Sequence, residues 1–167
     1  QENEGPEVAK HTSHILLIDP RTGEIDIDLQ LPDDQNVEWV KSTETGELLY
    51  ASDETITCYD LLRHEVMWII EDKAIHSSRW PMVVGQTLLI VDLGNQVLRL
   101  DITTGDLSQV EGLILEGRIN PEPKMYTQNG LYIIRSSSGV FVFDPAGELI
   151  GSLARTGLDG VYLASIA

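Results

Sequence analysis

Aliphatic runs that end on an aspartate recur four times along this chain, and each is followed by a polar turn. The runs end at Asp19, Asp60, Asp101 and Asp144, which are 41 to 43 residues apart. A fixed period of about 40–45 residues is the length of one four-stranded propeller blade. The hydrophobic pattern therefore predicts an all-β repeat protein, a β-propeller of about four repeats.

The third repeat shows the predicted strands most clearly. Its apolar runs, at 80–84, 87–92, 97–101 and 107–110, are separated by short turns that contain glycine. Such turns join antiparallel strands, because glycine adopts the positive φ that a tight hairpin needs. Helical periodicity is absent over any useful window. Each repeat is therefore predicted to be one four-stranded antiparallel blade.

The repeat boundaries predict the domain organisation. Residues 1–13 form a loose acidic N-terminal arm, and the propeller repeats occupy 14–167. The repeats divide into a partial blade at 14–31, blades at about 37–71, 79–115 and 124–154, and a trailing strand at 161–166. The trailing strand either completes the partial blade and closes a four-bladed ring, or the repeats belong to a larger ring. We favour a segment of a larger ring, completed by further sequence or by another copy of the chain.

The charge of the chain narrows the classes of partner. It has 11 basic and 27 acidic residues, a formal net charge of −16. Such a surface repels phosphate backbones and anionic lipid, so we predict no nucleic-acid partner. The longest apolar run is also too short to cross a bilayer, so we predict no membrane insertion. The acidity favours a cation or a basic protein as partner, or simply keeps the protein in solution.

The four repeat aspartates are predicted to be structural turn locks. A carboxylate at this position can accept hydrogen bonds from backbone N–H groups of the turn that follows it. Cys58, the single cysteine, lies inside an apolar run, which is typical of a small buried hydrophobe.

The last two strands of each repeat resemble PQQ-like propellers, the quinoprotein alcohol dehydrogenase-like superfamily, whose motif is roughly Ala-x-Asp-x-x-Thr-Gly-x-x-x-Trp. The second repeat has Asp60 and Trp68 at the spacing of that motif, but Arg63 and His64 replace Thr and Gly. The first and third repeats keep the Thr-Gly pair, at 22–23 and 104–105, and have Ile27 and Gln109 in place of Trp. The last repeat has some NHL-like character.

The resemblance implies several functional properties. In the family the tryptophan docks between adjacent blades, so Trp68 is expected to do so here. The family's enzymes use a quinone, a Ca²⁺ ion, a catalytic aspartate and often a vicinal cysteine pair, and Cys58 alone cannot form that pair. We therefore predict no catalytic, cofactor-binding or metal-binding residue, with Ca²⁺ as the alternative cofactor. The family also favours an extracytoplasmic location, periplasmic or secreted.

Two sets of side chains are candidate binding sites. Trp39, Trp80, Tyr126 and Tyr162 fall in or beside the first strand of their units. If those strands line the central channel, the aromatic side chains form a platform for a ligand or peptide, with core packing as the alternative. Strict alternation over 25–31 places Asp26, Asp28 and Gln30 on one face. That face is either a cation site or a solvated strand protected from pairing by its charge.

These observations favour a non-enzymatic propeller module that binds or scaffolds protein or peptide partners, with a homo-oligomer that completes the ring as one form of partner. One alternative is a metal-dependent propeller hydrolase or lactonase with a site in the funnel. A second alternative is a structural assembly subunit whose open edges pair with other chains by strand addition.

Overall fold

The computed structural model describes residues 12–31, 35–52, 55–72, 79–92, 96–114, 124–136, 139–155 and 162–166. Most of the predicted N-terminal arm lies outside these ranges. The described strands are β1 (His14–Ile18), β2 (Ile25–Gln30), β3 (Val37–Ser42), β4 (Glu47–Ser52), β5 (Thr55–Asp60), β6 (Glu65–Glu71), β7 (Arg79–Val84), β8 (Thr87–Val91), β9 (Gln96–Asp101), β10 (Leu107–Ile114), β11 (Lys124–Gln128), β12 (Leu131–Ser136), β13 (Gly139–Phe143), β14 (Leu149–Arg155) and β15 (Tyr162–Ile166).

The strands form four antiparallel sheets in which each strand pairs with its neighbours in sequence. The first sheet is β1-β2, the second is β3-β4-β5-β6, the third is β7-β8-β9-β10, and the fourth is β11-β12-β13-β14-β15. This is the all-β propeller architecture that the 41- to 43-residue period predicts. The glycines of the first hairpin in each full repeat, Gly46, Gly85 and Gly130, all have positive φ.

The trailing strand belongs to the fourth sheet. β15 pairs with β14 over a register that runs from Gly151 opposite Ile166 to Arg155 opposite Tyr162. The first sheet consists of β1 and β2 alone among the described strands. The hypothesis that the trailing strand completes the first blade is therefore wrong for this structure, because the backbone of β15 is hydrogen-bonded to β14.

Adjacent sheets pack face to face, and alternation along each strand supplies both faces. In β8, Leu88 and Ile90 face the second sheet, whereas Leu89 and Val91 face the fourth. All five residues of β8 are buried, as in a strand covered on both sides. Each leucine buried in this way stabilises the fold by about 1.5–3 kcal/mol relative to an exposed one.

The hydrophobic clusters connect the sheets in sequence order. One joins the first and second sheets around Ile15 and Tyr59, one joins the second and third around Ile56 and Leu100, and one joins the third and fourth around Val84. Among the described buried residues, no cluster joins the fourth sheet to the first. Within the described residues, the four sheets therefore form a row in which the first and the fourth sheet each pack on one neighbour.

The last strand of the second sheet departs from the sequence expectation. The run 66–70 is apolar throughout, which is typical of a strand covered on both faces, but Val66 and Ile69 are exposed while Trp68 and Ile70 pack against the third sheet. β6 is the edge strand of its sheet, and the first sheet, on the other side of it, has only two strands among the described residues.

Candidate interaction surfaces

The carboxylate of each repeat aspartate organises the turn that follows its strand. Asp101 Oδ1 accepts hydrogen bonds from the backbone N–H groups of Thr103 and Thr104 at 2.8 and 2.9 Å. The equivalent donors in the other repeats are the N–H groups of Arg21 at Asp19, Leu62 and Arg63 at Asp60, and Ala146 and Glu148 at Asp144. All four predicted turn-lock residues therefore occupy one kind of structural site, with their carboxylates bonded to the turn.

Each of these turns closes on a residue with positive φ. The N–H groups of Gly23, His64, Gly105 and Gly147 bond back to the carbonyl of the repeat aspartate, and φ is between 58° and 78° at all four. His64 therefore adopts the left-handed conformation that glycine has in the other three repeats. A β-carbon disfavours this conformation, which explains why glycine occupies this position in the other three repeats.

Hydrogen bonding lowers the pKa of two of these aspartates. The backbone N–H of Arg21 is the main cause of the lowered pKa of Asp19, and the backbone N–H of Arg63 is the main cause for Asp60. These bonds favour the charged carboxylate. Both groups stay ionised at neutral pH as part of a turn, which is a structural role.

Trp68 connects the second sheet to the third. Its indole N–H donates a 2.8 Å hydrogen bond to the carbonyl of Ile102, the residue that follows the repeat Asp101. The indole ring also lies over Gly105, where an added β-carbon would be 3.1 Å from the ring. The side chain thus contacts the adjacent sheet at its turn, the position that the family resemblance implies for the motif tryptophan.

The third and fourth sheets meet at their turns in a similar way. Gly85 approaches the 144–147 turn so closely that a β-carbon would clash with the carbonyl oxygen of Pro145. Polar contacts across the junction are Gly85 N–H to Tyr132 Oη at 3.1 Å, Thr87 Oγ1 to the Ala146 carbonyl at 3.1 Å, and the Arg99–Glu148 ion pair. Each junction between full sheets therefore combines an apolar core with polar contacts at the turn end.

The first sheet exposes residues at repeat positions that are buried in the other sheets. The residue one before the repeat aspartate is at most 9% exposed in the second, third and fourth sheets, but Ile18 is 53% exposed. The residue three before it is at most 8% exposed in those sheets, but Leu16 is 45% exposed. In each later sheet this face packs on the preceding sheet. We call the uncovered face, with Leu16, Ile18, Asp26 and Asp28, the first-sheet end face.

Acidic side chains accompany the apolar residues of the first-sheet end face. Asp28 lies directly opposite Leu16 in the β1–β2 register, and Asp26 is the extra residue where that register shifts. Both aspartates are exposed. Asp28 Oδ1 also lies 2.6 Å from Nδ1 of His14 at the start of β1.

The fourth sheet has a partly exposed face at the opposite end of the row. Ile134 and Phe141 pack on the third sheet, so the residues that alternate with them face away from it. Two rows of cross-strand neighbours lie on this outer side. One row is Tyr126, Ile133 and Val142, and the other is Lys124, Arg135, Val140 and Leu153. Tyr126 is 49% exposed and Leu153 is 36% exposed. We call this surface, with Lys124, Tyr126, Arg135 and Leu153, the fourth-sheet end face.

The four predicted platform aromatics do not share one environment. Trp39 is half-buried against the core between the second and third sheets, while Tyr126 belongs to the fourth-sheet end face. Trp80 and Tyr162 lie in β7 and β15, and their side chains are outside the described part of the structure. β3 and β7 approach within 8 Å between Cα atoms, as expected for the inner strands of neighbouring blades.

Cys58 and the acidic side chains show no catalytic arrangement within the described ranges. Burial, with a smaller contribution from the charges of Glu47 and Asp60, raises the pKa of the Cys58 thiol to about 12. A thiol that stays protonated at neutral pH is a poor nucleophile. Across these residues, no group of three or more His, Cys, Asp or Glu is placed to hold a metal ion. They also include no helix of the length and hydropathy needed to span a membrane.

Sequence reasoning did not identify the end faces. Leu16 and Ile18 look like ordinary core residues, because their repeat positions are apolar in most units. The available signal was the order of the repeats, since among the described sheets the first and the fourth each pack on one neighbour. The alternating aspartates at 26 and 28 were identified, but not the apolar residues beside them.

Comparisons with known proteins show the fold. Neither a protein-family model nor a curated protein matches this sequence. The crystal structure of BamB from Moraxella catarrhalis is 16% identical with a TM-score of 0.57, and the match covers 81% of this chain and 42% of that one.

Two further structures are similar. A protein of unknown function from Bacteroides caccae is 17% identical with a TM-score of 0.49, covering 89% of this chain and 59% of that one. The N-terminal domain of Nup159 is 16% identical with a TM-score of 0.49, covering 75% of this chain and 31% of that one. The chain thus spans about 31–59% of the length of these three structures.

Proposed function

We propose that this chain is a non-enzymatic, cofactor-free propeller module that binds protein through its two end faces. One observation carries the proposal: Leu16 and Ile18 are exposed at repeat positions that are buried wherever another sheet covers them. Exposed apolar patches rimmed by polar groups are typical of protein interaction sites. The end faces have this composition, since carboxylates border one and basic side chains border the other.

The proposal includes two finer assignments. The Asp60–Trp68 spacing and the Trp68 contact with Ile102 support a place in the PQQ-like superfamily. That superfamily supports an extracytoplasmic location for the module. Binding through the sheet faces also distinguishes this function from a peptide platform in the channel, since Trp39 is packed within the sheets.

Peptide selection against the purified chain tests the proposal. We expect a displayed random library to yield peptides that bind saturably, because an apolar face gains free energy when it is covered. Ile18→Asp should weaken the peptides that bind the first-sheet end face by about tenfold or more, which corresponds to about 1.4 kcal/mol. Binding would be measured by fluorescence anisotropy at nanomolar protein concentration.

Leu62→Asp is the matched control, because Leu62 is 80% exposed in the β5–β6 turn. It should leave peptide affinity unchanged. The proposal fails if no peptide binds saturably, or if selected peptides are indifferent to substitutions in both end faces.

A further inference from the structure

We infer that the partner of each end face is the opposite end face of a second copy of this chain, so that two copies close one ring. This inference rests on the proposed function and specifies its partner. It commits to the contact between the first-sheet end face of one copy and the fourth-sheet end face of the other.

The repeat itself shows what kind of surface covers these faces. Within the chain, the residues before the repeat aspartate always pack on the outward side of the preceding sheet: Tyr59 on the first, Leu100 on the second, and Phe143 on the third. Ile18 occupies the same position and is 53% exposed, and the described residues include no sheet before the first one. The fourth-sheet end face is the outward side of such a sheet. It can therefore cover Ile18 and Leu16 in the way that each earlier sheet covers the next one.

Charge complementarity selects the orientation of this contact. The first-sheet end face has Asp26 and Asp28 exposed, and the fourth-sheet end face has Lys124 and Arg135 exposed. Opposite charges across a junction favour the matched pairing and penalise contacts between two identical faces. The third–fourth junction has the same feature, since Arg99 of the third sheet pairs with Glu148 of the fourth.

Closure distinguishes a ring from a fibre. A contact between two different faces generates an open filament unless the rotation it imposes closes. Four sheets from each of two copies give about eight, which is within the range of known propellers. Two equivalent junctions related by a two-fold axis would then leave no end face exposed.

Sedimentation analysis of the full chain at about 150 mM NaCl tests the inference, because this salt screens the net charge beyond about 8 Å. We expect a species of twice the 18.5 kDa chain mass, in a concentration-dependent equilibrium. Two charge-reversed variants should each sediment as monomers. They are D26K/D28K in the first-sheet end face and K124E/R135E in the fourth-sheet end face.

Mixing the two variants provides the decisive measurement. One variant then presents two basic end faces and the other presents two acidic ones, so both junctions of a mixed dimer are attractive. An equimolar mixture should restore the mass of a dimer, and the quadruple variant that carries all four substitutions should form a dimer by itself. The control E65K/E71K reverses two exposed carboxylates on β6 and should dimerise like the unmodified chain.

Three outcomes would overturn the inference. A chain that stays monomeric at millimolar concentration has no partner of its own kind, and a growing filament shows that the junction does not close. A mixture of the two variants that stays monomeric, while each keeps a native thermal transition, shows that these faces do not meet. In each case saturable peptide binding to the end faces would still support the proposed function. If the chain neither dimerises nor binds peptides saturably, the proposed function fails as well.

Discussion

At the scale of single residues, the repeat aspartates have a role that the backbone defines. Each carboxylate accepts N–H groups of its own turn, and the turn then closes on a residue with positive φ. Three of these closing residues are glycines, and His64 takes the fourth place. The turns therefore depend on local hydrogen bonding and on backbone conformation more than on the identity of every motif residue.

Replacing Asp60 with asparagine should make stability less dependent on pH. The pKa of Asp60 lies below its unfolded value of 3.8, mainly because of the Arg63 N–H. A carboxyl of this kind stabilises the fold above the unfolded pKa, and its contribution is lost as pH falls through the folded pKa. Asp60→Asn should thus be less stable than the unmodified protein at pH 7, and the difference should shrink as pH falls below 3.8.

Urea denaturation at several pH values measures this effect. Glu65→Gln, which neutralises an exposed carboxylate on the neighbouring strand, is the control and should keep the pH profile of the unmodified protein. A constant difference between Asp60→Asn and the unmodified protein from pH 7 to pH 3 would contradict the prediction.

At the scale of elements, the turns also form the junctions between sheets. Gly105 shows both roles, since its φ of 78° closes the turn and its missing side chain leaves room for the indole of Trp68. Gly23 has nearly the same φ, and nothing lies within 4 Å of an added β-carbon. Substituting the two glycines therefore separates the cost of a left-handed backbone conformation from the cost of a clash with the indole ring.

Alanine at Gly105 should destabilise the protein more than alanine at Gly23. Both substitutions have the cost of a left-handed residue, about 1–2 kcal/mol. Gly105→Ala adds a β-carbon 3.1 Å from the Trp68 ring, so we expect a further loss of about 1 kcal/mol or more. Chemical denaturation of both variants gives the two free energies of unfolding.

A double-mutant cycle identifies the source of the extra cost. In a Trp68→Ala background, Gly105→Ala should cost no more than Gly23→Ala, because the ring that it meets has been removed. Equal costs for the two glycines in the unmodified background would show that the indole contact adds nothing.

At the scale of the whole molecule, the position of a sheet in the row decides how deeply its residues are buried. Leu16 and Leu98 are the same residue type at the same repeat position, three before the aspartate. Leu98 is 8% exposed because the second sheet covers it, whereas Leu16 is 45% exposed. Repeat proteins derive much of their stability from such interfaces between neighbours.

Truncation of these two leucines should reveal the difference. Leu98→Ala removes a buried side chain and should lower the free energy of unfolding by about 2–5 kcal/mol. Leu16→Ala should lower it by less than about 1 kcal/mol in dilute solution, where no second copy covers the first-sheet end face. Thermal and urea denaturation at micromolar concentration compare the pair, and similar losses would show that the first sheet is covered within a single chain.

Part of the site was predictable from local sequence. The turn aspartates and hairpin glycines follow from their spacing, because their hydrogen bonds and dihedral angles involve residues only a few positions away. The environments of Trp39 and Tyr126 were not predictable in this way. Both lie in the first strand of a unit, and their burial depends on the sheet that packs beside them.

By itself, the sequence determined the strand pattern, the repeat and the all-β propeller class, since a period of 41 to 43 residues with turn glycines is a local, repeated property. Only the tertiary structure decided that β15 extends the fourth sheet and that Leu16 and Ile18 are uncovered. Strand partners and burial arise from contacts between distant segments, and equivalent repeats have equivalent sequences whether or not a neighbour covers them.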